Sequence, residues 1–144
     1  MRNLLIHINA DNEAAMKSAV AQAIALYRQE PVAIHLLNVQ PQLSGHVAMC
    51  FDSRELSGIQ HQAGAEDLAG ARALLDAAAV PYTALVVVGR RAETIARVAR
   101  ELACDRILMG NEGHAGFAGR VFGSLAGQVR QIVGGAGDCQ VISP

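Results

Sequence analysis

The order of apolar segments along the chain predicts a single α/β domain, residues 1–144, built on a doubly wound parallel sheet of five strands. Short apolar runs alternate five times with longer segments whose apolar residues recur at helical spacing. Several of the runs are continuous, as in strands with helices packed on both faces, and 51% of the 144 residues are hydrophobic. This alternation with short connections predicts strand order 3-2-1-4-5 with helices on both faces.

The first strand is predicted at residues 3–9 (NLLIHIN), an apolar run too short for a helix. His7 lies within it, and a single histidine in a buried strand is typically a packed core residue. Asp11 or Asn12 can cap the helix that follows. The apolar face of this helix consists of Met16, Val20, Ala23, Ile24 and Tyr27.

The second strand is predicted at residues 32–39, and residues 40–53 are interpreted as a polar loop. An alanine-rich helix is predicted over residues 56–78. Gly64 and Gly70 are interpreted as weak points of that helix because glycine is a poor helix former.

The third strand is predicted at residues 82–88, where the continuous run ALVVV indicates a strand covered on both faces. A compact amphipathic helix follows. Its apolar positions are Ile95, Val98, Ala99 and Leu102. The surrounding arginines, interpreted as a solvated face, are Arg90, Arg91, Arg97 and Arg100.

The fourth strand is predicted at residues 106–109, and a helix that starts near Leu125 ends at Gly134 and Gly135. The last strand is predicted at residues 139–143. It is short, apolar and at the sheet edge, so its unpaired backbone groups predict a homodimer through this strand.

Composition excludes several classes of partner. The formal net charge is −1 without a run of Lys or Arg, which argues against nucleic acid or an anionic membrane surface. Aromatic residues make up only 3% of the chain, too few for a platform that stacks bases. No apolar run approaches the roughly 18 to 20 residues that span a bilayer, and the first residues lead directly into a strand. A cytoplasmic location is therefore expected.

The three cysteines, Cys50, Cys104 and Cys139, show no CxxC spacing, so we expect reduced thiols. Cys50 lies between His46 and His61, but this spacing matches no zinc finger and lacks a fourth ligand. We therefore predict no metal site there.

A glycine-rich segment, residues 110–124 (GNEGHAGFAGRVFGS), lies between the fourth strand and the last helix. Glycine permits positive φ and a close approach of backbone N–H groups to a ligand, and a helix start adds unpaired donors. The same composition is also compatible with a simple turn. In strand order 3-2-1-4-5 the direction of winding reverses between strands 1 and 4, and such sheets bind ligands at the carboxyl ends of those strands. Topology and composition thus indicate the same location.

The spacing Gly-x2-Gly-x9-Gly-Ser in this segment, after a strand that ends in Met109-Gly110, resembles the nucleotide-binding signature of the universal stress protein family. The chain length, the order of elements and the closing strand are similar as well. The resemblance implies binding of ATP, with Mg²⁺, or of ADP or AMP.

The resemblance also implies which residues form the site. Asn9, where nucleotide-binding members usually have aspartate, would lie near the nucleoside, and the turn at Val39 would contact the base. The topology adds Asp11, which the end of the first strand brings to the same edge of the sheet. The phosphates would be held mainly by backbone N–H groups and one hydroxyl. The segment around the phosphates would comprise Met109, Gly110, Gly113, Arg120, Gly123, Ser124 and Leu125.

Three functions stay open at this point. The first is a cytoplasmic adenine-nucleotide-binding stress or regulatory protein, and the second is a dimeric interaction module that works without nucleotide. Hydrolysis of ATP is the third, and Glu112 and His114 are the only candidate bases near the loop. A dinucleotide-binding domain is excluded because residues 9–12 contain no glycine.

Overall fold

The fold is that of a computed structural model, which describes residues 2–9, 13–42, 52–109, 125–134 and 139–142. Within them, strands and helices alternate as predicted. The elements are β1 (Arg2–His7), α1 (Glu13–Gln29), β2 (Val32–Gln40), α2 (Ser53–Ala77), β3 (Tyr82–Val88), α3 (Arg91–Glu101), β4 (Arg106–Met109), α4 (Leu125–Val133) and β5 (Gln140–Ile142).

The five strands form one sheet in the order β3-β2-β1-β4-β5, which confirms the predicted arrangement. Every neighbouring pair is parallel. In register, His7 near the end of β1 lies opposite Leu37 of β2 and opposite Met109, the last residue of β4. The carboxyl ends of these three central strands therefore meet at one edge of the sheet.

Two apolar clusters cover the two faces of the sheet, because successive side chains of a strand point to opposite sides. Leu4 and Ile6 of β1, together with Ile8 directly after it, pack with residues of α1 and α2 on one face. Leu5 packs with residues of α3 and α4 on the other. His7 is fully buried, which confirms its interpretation as a core residue.

β3 differs from its prediction as a strand covered on both faces. It pairs only with β2 at one edge of the sheet, and Thr83 and Ala84 are exposed while the other five residues are half-buried. Leu85 and Val87 contact one apolar cluster and Val86 contacts the other, so each face is covered in part. A continuous apolar run is therefore not sufficient evidence for a strand that is buried on both faces.

α2 begins at Ser53, three residues before the predicted start, because Asp52 caps it. A side-chain oxygen of Asp52 accepts a hydrogen bond from the backbone N–H of Glu55 at 2.7 Å. β2 extends through Gln40, the first residue of the predicted loop, and residues 43–51 of that loop lie outside the described ones.

Shortly after the ends of α2 and α3, an alanine adopts the left-handed backbone conformation that glycine usually adopts at a helix end. Ala79 has φ 58° and Ala103 has φ 53°. After α3, the N–H of Cys104 donates to the carbonyl of Ala99 and that of Ala103 to the carbonyl of Arg100. This is the double hydrogen bond that usually accompanies glycine at a helix end.

The remaining predictions on the second half of the chain have mixed outcomes. The four arginines around α3 are exposed, as predicted for a solvated face. β5 comprises Gln140–Ile142, so Cys139 is not part of it, and Ser143 lies outside the described residues.

Both Cys104 and Cys139 are free thiols, whereas Cys50 is outside the described part. No helix in the described ranges is long and apolar enough to cross a membrane.

Candidate functional site

The ends of β1 and β4 bring two of the predicted site residues to the same edge of the sheet. Met109 is fully buried and lies opposite His7 in the parallel pairing of β4 with β1. Asn9 follows β1 by two residues and is 6% exposed. Since paired strands are about 4.8 Å apart, Asn9 borders on the crevice that open α/β sheets have between such strand ends.

Val39 and Leu125 border the same edge from one face of the sheet. Val39 is buried in the cluster formed with α3 and α4. Leu125 is the first residue of α4 and is half-buried against that cluster. The start of α4 therefore lies on the same side of the sheet as the side chain of Val39.

The other predicted site residues lie outside the described part of the chain. They are Asp11, Gly110, Gly113, Arg120, Gly123 and Ser124. The candidate bases Glu112 and His114 also belong to that group. The geometry of the glycine-rich segment therefore stays a prediction, whereas the structure describes the two residues that flank it, Met109 and Leu125.

A hydrogen-bond network that was not predicted links the end of β2 to α2. Asn38 is fully buried, and its Nδ2 donates both to the carbonyl of Ile8 and to Oδ2 of Asp67, each at 3.0 Å. Gln40 Nε2 donates to Oδ1 of Asn38 at 2.7 Å and lies 3.5 Å from Oδ2 of Asp67. The network thus ties β1, β2 and α2 together beside Asn9.

The orientation of the Asn38 amide is fixed by its partners. A carbonyl and a carboxylate only accept hydrogen bonds, so the two hydrogens of Nδ2 must point toward Ile8 and Asp67. Oδ1 is then left to accept from Gln40. All hydrogen-bonding groups of this buried amide except one lone pair of Oδ1 are used, as expected in a core of low polarity.

One stripe of α2 forms the outer wall of this edge. Gln60, Gly64 and Asp67 are four and three residues apart, so they lie on one face of the helix. Gln60 is buried and its Nε2 donates to the carbonyl of Pro41 at 3.0 Å. Gly64 lets the helix approach closely, since a Cβ atom there would be 2.4 Å from Cγ1 of Val86 and 3.0 Å from Oδ1 of Asn38.

A sequence signal for this network exists, although it is weak. Asn38 interrupts the apolar run of the second strand, and an amide in a buried strand needs partners. The partner on α2 cannot be identified from the sequence, because the contact depends on the packing of helix against sheet.

No metal centre is evident in the parts of the chain that are described. No group of three or more His, Cys, Asp or Glu side chains there is arranged to hold a metal ion. His61 is exposed, and its Nδ1 is 2.8 Å from the carbonyl of Ser57 on the same helix. His46 and Cys50, which were considered with it, lie outside those parts.

The titratable groups with shifted pKa values lie elsewhere. Burial raises the pKa of the Cys104 thiol to about 12, and it also raises the pKa of Cys139. Burial lowers the pKa of His35, which is 2.6 Å from Oγ1 of Thr83 through its Nδ1. Cys104 and His35 lie toward the amino ends of the strands, away from the crevice.

An open groove also lies at the amino edge of the sheet, with Tyr27, His35 and Tyr82 in its walls. This groove is distant from the point where the winding of the sheet reverses. We assign the candidate site to the carboxyl edge, because open α/β sheets bind their ligands there.

Comparison with protein families and known structures places the chain among related proteins. The model of the universal stress protein family matches residues 1–133. A comparison with curated proteins finds no match.

Solved structures of that family share the fold. A universal stress protein in complex with cAMP matches with a TM-score of 0.69 and 16% identity, covering 98% of this chain and 94% of that one. The protein from Archaeoglobus fulgidus in complex with dAMP matches with a TM-score of 0.63 and 16% identity, covering 99% and 96%. An Arabidopsis thaliana member with AMP bound gives 0.61 and 13%, covering 99% and 90%. At these identities the matches establish the fold.

Proposed function

Because the chain belongs to the universal stress protein family, we propose that it binds an adenine nucleotide at the carboxyl edge of its sheet, as a stress-response or regulatory protein. The observation that carries the proposal is the parallel pairing of β1 with β4, which brings the end of β1, two residues before Asn9, opposite Met109, the residue that precedes the glycine-rich segment. Relatives of the same fold that are in complex with cAMP, dAMP and AMP support an adenine nucleotide as the ligand.

The start of α4 supports a phosphate position at the end of the glycine-rich segment. The positive end of a helix dipole attracts anions, and the first turn of α4 contains no acidic residue that would oppose them. Ser124 directly precedes Leu125, so its hydroxyl is placed in sequence to serve either as the helix cap or as a phosphate ligand.

ATP with Mg²⁺ is the proposed form of the nucleotide, on the spacing of the glycine signature, and ADP or AMP are the alternatives. Phosphate binding would depend on backbone donors, with Arg120 as the cation of the segment closest in sequence to Gly123 and Ser124. We propose binding rather than rapid hydrolysis, because the only candidate bases, Glu112 and His114, belong to a glycine-rich segment without a partner that the sequence identifies.

The test is to titrate ATP, AMP and adenosine into the parent and two variants. Ser124→Ala should weaken ATP binding about tenfold to a hundredfold, the value of one hydrogen bond to a charged group, and should affect adenosine much less. Gly123→Val should nearly abolish ATP binding by blocking the close backbone approach. Thermal unfolding of each variant without ligand separates loss of the site from loss of the fold.

Gly58→Ala is the matched control for the glycine replacement. Gly58 is an exposed residue of α2, and a Cβ atom there would have no neighbour within 4 Å. The variant should bind ATP as the parent does. Absence of binding of ATP, ADP and AMP to the folded parent at millimolar concentration would favour the nucleotide-free interaction module instead.

A cytoplasmic location is a further part of the proposal. Cys104 and Cys139 are free thiols, and the sequence shows no cysteine spacing typical of an extracellular disulfide framework. Localisation of a tagged chain in fractionated cells would test this: recovery with secreted proteins would contradict it.

We also propose that the chain forms a homodimer through β5. The N–H of Gln140 donates to the carbonyl of Asp105 at 2.9 Å, so the next residue, Val141, directs its N–H toward the open edge of the sheet. The carbonyl of Val141 accepts a hydrogen bond from Nη2 of Arg130 at 3.2 Å and keeps a second lone pair. A second copy can therefore pair with this edge.

Sedimentation at micromolar concentration tests the dimer. The parent should sediment as a dimer, and Val141→Pro, which removes the outward N–H, should weaken association. Thermal unfolding is needed alongside, because the side chain of Val141 is also buried. A parent that is monomeric, or a folded proline variant that associates as well as the parent, would contradict the proposal.

A further inference from the structure

Given the nucleotide binding proposed above, on which this inference rests, we propose that Asp67 selects the base by accepting a hydrogen bond from an amino group at the 6-position of a purine. Asp67 would thus favour adenine over hypoxanthine or guanine, which have a carbonyl oxygen at this position. Asn38 and Gln40 act as positioning residues for its carboxylate.

The position of Asp67 follows from the order of the strands. Leu125, the first residue of α4, packs against the apolar cluster that contains Met109, the last residue of β4, so phosphates at the start of α4 would lie near the end of β4. β1 separates β4 from β2. A nucleotide that extends from this point across the end of β1 directs its base toward the end of β2. Two strand spacings correspond to about 10 Å. The network of Asn38, Gln40 and Asp67 lies at that end of β2.

The carboxylate has one oxygen in use and one available. Oδ2 accepts from Asn38 at 3.0 Å and lies 3.5 Å from the amide nitrogen of Gln40, while Oδ1 accepts no hydrogen bond from any residue that the structure describes. Asp67 is half-buried, so its carboxylate is partly shielded from water. A shielded acceptor gains from a ligand donor and repels a ligand oxygen.

Asn38 holds the carboxylate in one place. Its amide is fully buried and bridges Ile8 and Asp67, so the distance between the end of β1 and the carboxylate is set by a single rigid group. Gly64 keeps α2 close enough for this contact. The acceptor is therefore preorganised before the ligand arrives, which is the condition for discrimination between similar ligands.

Asp67→Asn reverses the hydrogen-bonding character of the group at almost unchanged size. The amide oxygen of the new side chain would accept from Asn38, and its NH₂ group would face the ligand in place of Oδ1. A donor at that point favours a purine with a carbonyl oxygen at the 6-position. The variant should therefore change the preference for the base and not only the affinity.

The experiment compares the binding of AMP and inosine monophosphate to the parent, Asp67→Asn and Glu66→Gln. Glu66 is the matched control: it is exposed on the same helix, and its carboxylate accepts a hydrogen bond from Nε2 of Gln62 at 3.3 Å. The parent and Glu66→Gln should prefer AMP about tenfold to a hundredfold, as for one hydrogen bond to a charged group. Asp67→Asn should bind AMP more weakly, and inosine monophosphate at least as tightly as AMP.

The outcomes separate this inference from the proposed function. Equal binding of the two nucleotides to the parent, or an unchanged preference in folded Asp67→Asn, would overturn the role of Asp67 while nucleotide binding stands. A parent that binds neither nucleotide would overturn both. If Asp67→Asn does not fold, the preference of the parent alone decides, because the role of Asp67 requires that AMP binds more tightly.

Discussion

Gly64→Ala should destabilise the protein, although alanine is the better helix former. The new Cβ atom would lie 2.4 Å from Cγ1 and 2.7 Å from Cγ2 of Val86. Rotation of the valine side chain does not relieve this clash. Two of the three staggered positions on Val86 face Gly64, and because two methyl groups must occupy two of the three positions, at least one methyl group always faces Gly64. α2 must therefore move away from β3 or the strand must bend.

The magnitude follows from two opposing contributions. Overpacking of one methyl group costs about 1 to 3 kcal/mol, and replacement of a helical glycine by alanine returns about 1 kcal/mol. The net loss of unfolding free energy is then about 1 kcal/mol, and the melting temperature should fall by about 3 °C. The new Cβ atom would also lie only 3.0 Å from Oδ1 of Asn38. It would therefore displace this oxygen and disturb the hydrogen-bond network beside the candidate site.

Chemical denaturation of four variants tests the predicted clash: Gly64→Ala, Gly58→Ala, Val86→Ala and the double variant Gly64→Ala/Val86→Ala. Gly58→Ala, on the same helix but with nothing within 4 Å of the new atom, should gain up to about 1 kcal/mol. In a Val86→Ala background, which lacks both methyl groups, Gly64→Ala should also become stabilising, with a coupling of about 1 kcal/mol or more. If Gly64→Ala stabilises the parent as much as Gly58→Ala does, close contact of α2 with β3 is wrong.

Three further predictions concern groups outside the site. Ala103→Gly should raise the unfolding free energy by about 1 kcal/mol, measured by denaturation, since glycine adopts φ 53° without strain; a loss of stability would contradict the assigned helix end. Burial favours the neutral thiol of Cys104 and raises its pKa from 9.0 to about 12. The contribution of this thiol to the free energy of unfolding is therefore present below pH 9 and is lost as the pH rises toward 12. Between pH 9 and pH 12 the unfolding free energy of Cys104→Ala, measured by denaturation, should fall less than that of the parent. Equal losses would argue against a buried thiol. Burial lowers the pKa of His35 from 6.5, so its stabilising contribution is present above pH 6.5 and is lost as the pH falls below it. His35→Gln should flatten the acid side of the stability profile, and an unchanged profile would assign that loss to other groups.

The fold was predictable because its main signal is local. Apolar runs of four to nine residues separated by helical patterns determine a doubly wound sheet almost by themselves, and the strand order follows from the connections. The edge position of β3 follows from the same order. The apolar run at residues 84–88 does not show how completely the helices cover the two faces of this strand, and in the structure they cover each face only in part.

The candidate site was predictable in location but not in its side-chain detail. Topology indicated the carboxyl ends of β1 and β4, and the structure brings Asn9 and Met109 together there. The contacts of Asn38 with α2 depend on how closely the helix approaches the sheet, which no local pattern encodes. Gly64 illustrates this: in sequence it is a weak point of a helix, whereas in the structure it makes the close approach possible.

Calorimetric titration of AMP and of ATP with Mg²⁺ into nucleotide-free protein tests the central claim most directly. We expect saturable binding of one nucleotide per chain with a dissociation constant below about 1 mM, and loss of ATP binding in the folded Gly123→Val variant measured in parallel. Absence of heat and of any thermal stabilisation with either nucleotide at millimolar concentration, in a parent that is folded, would contradict nucleotide binding by this chain.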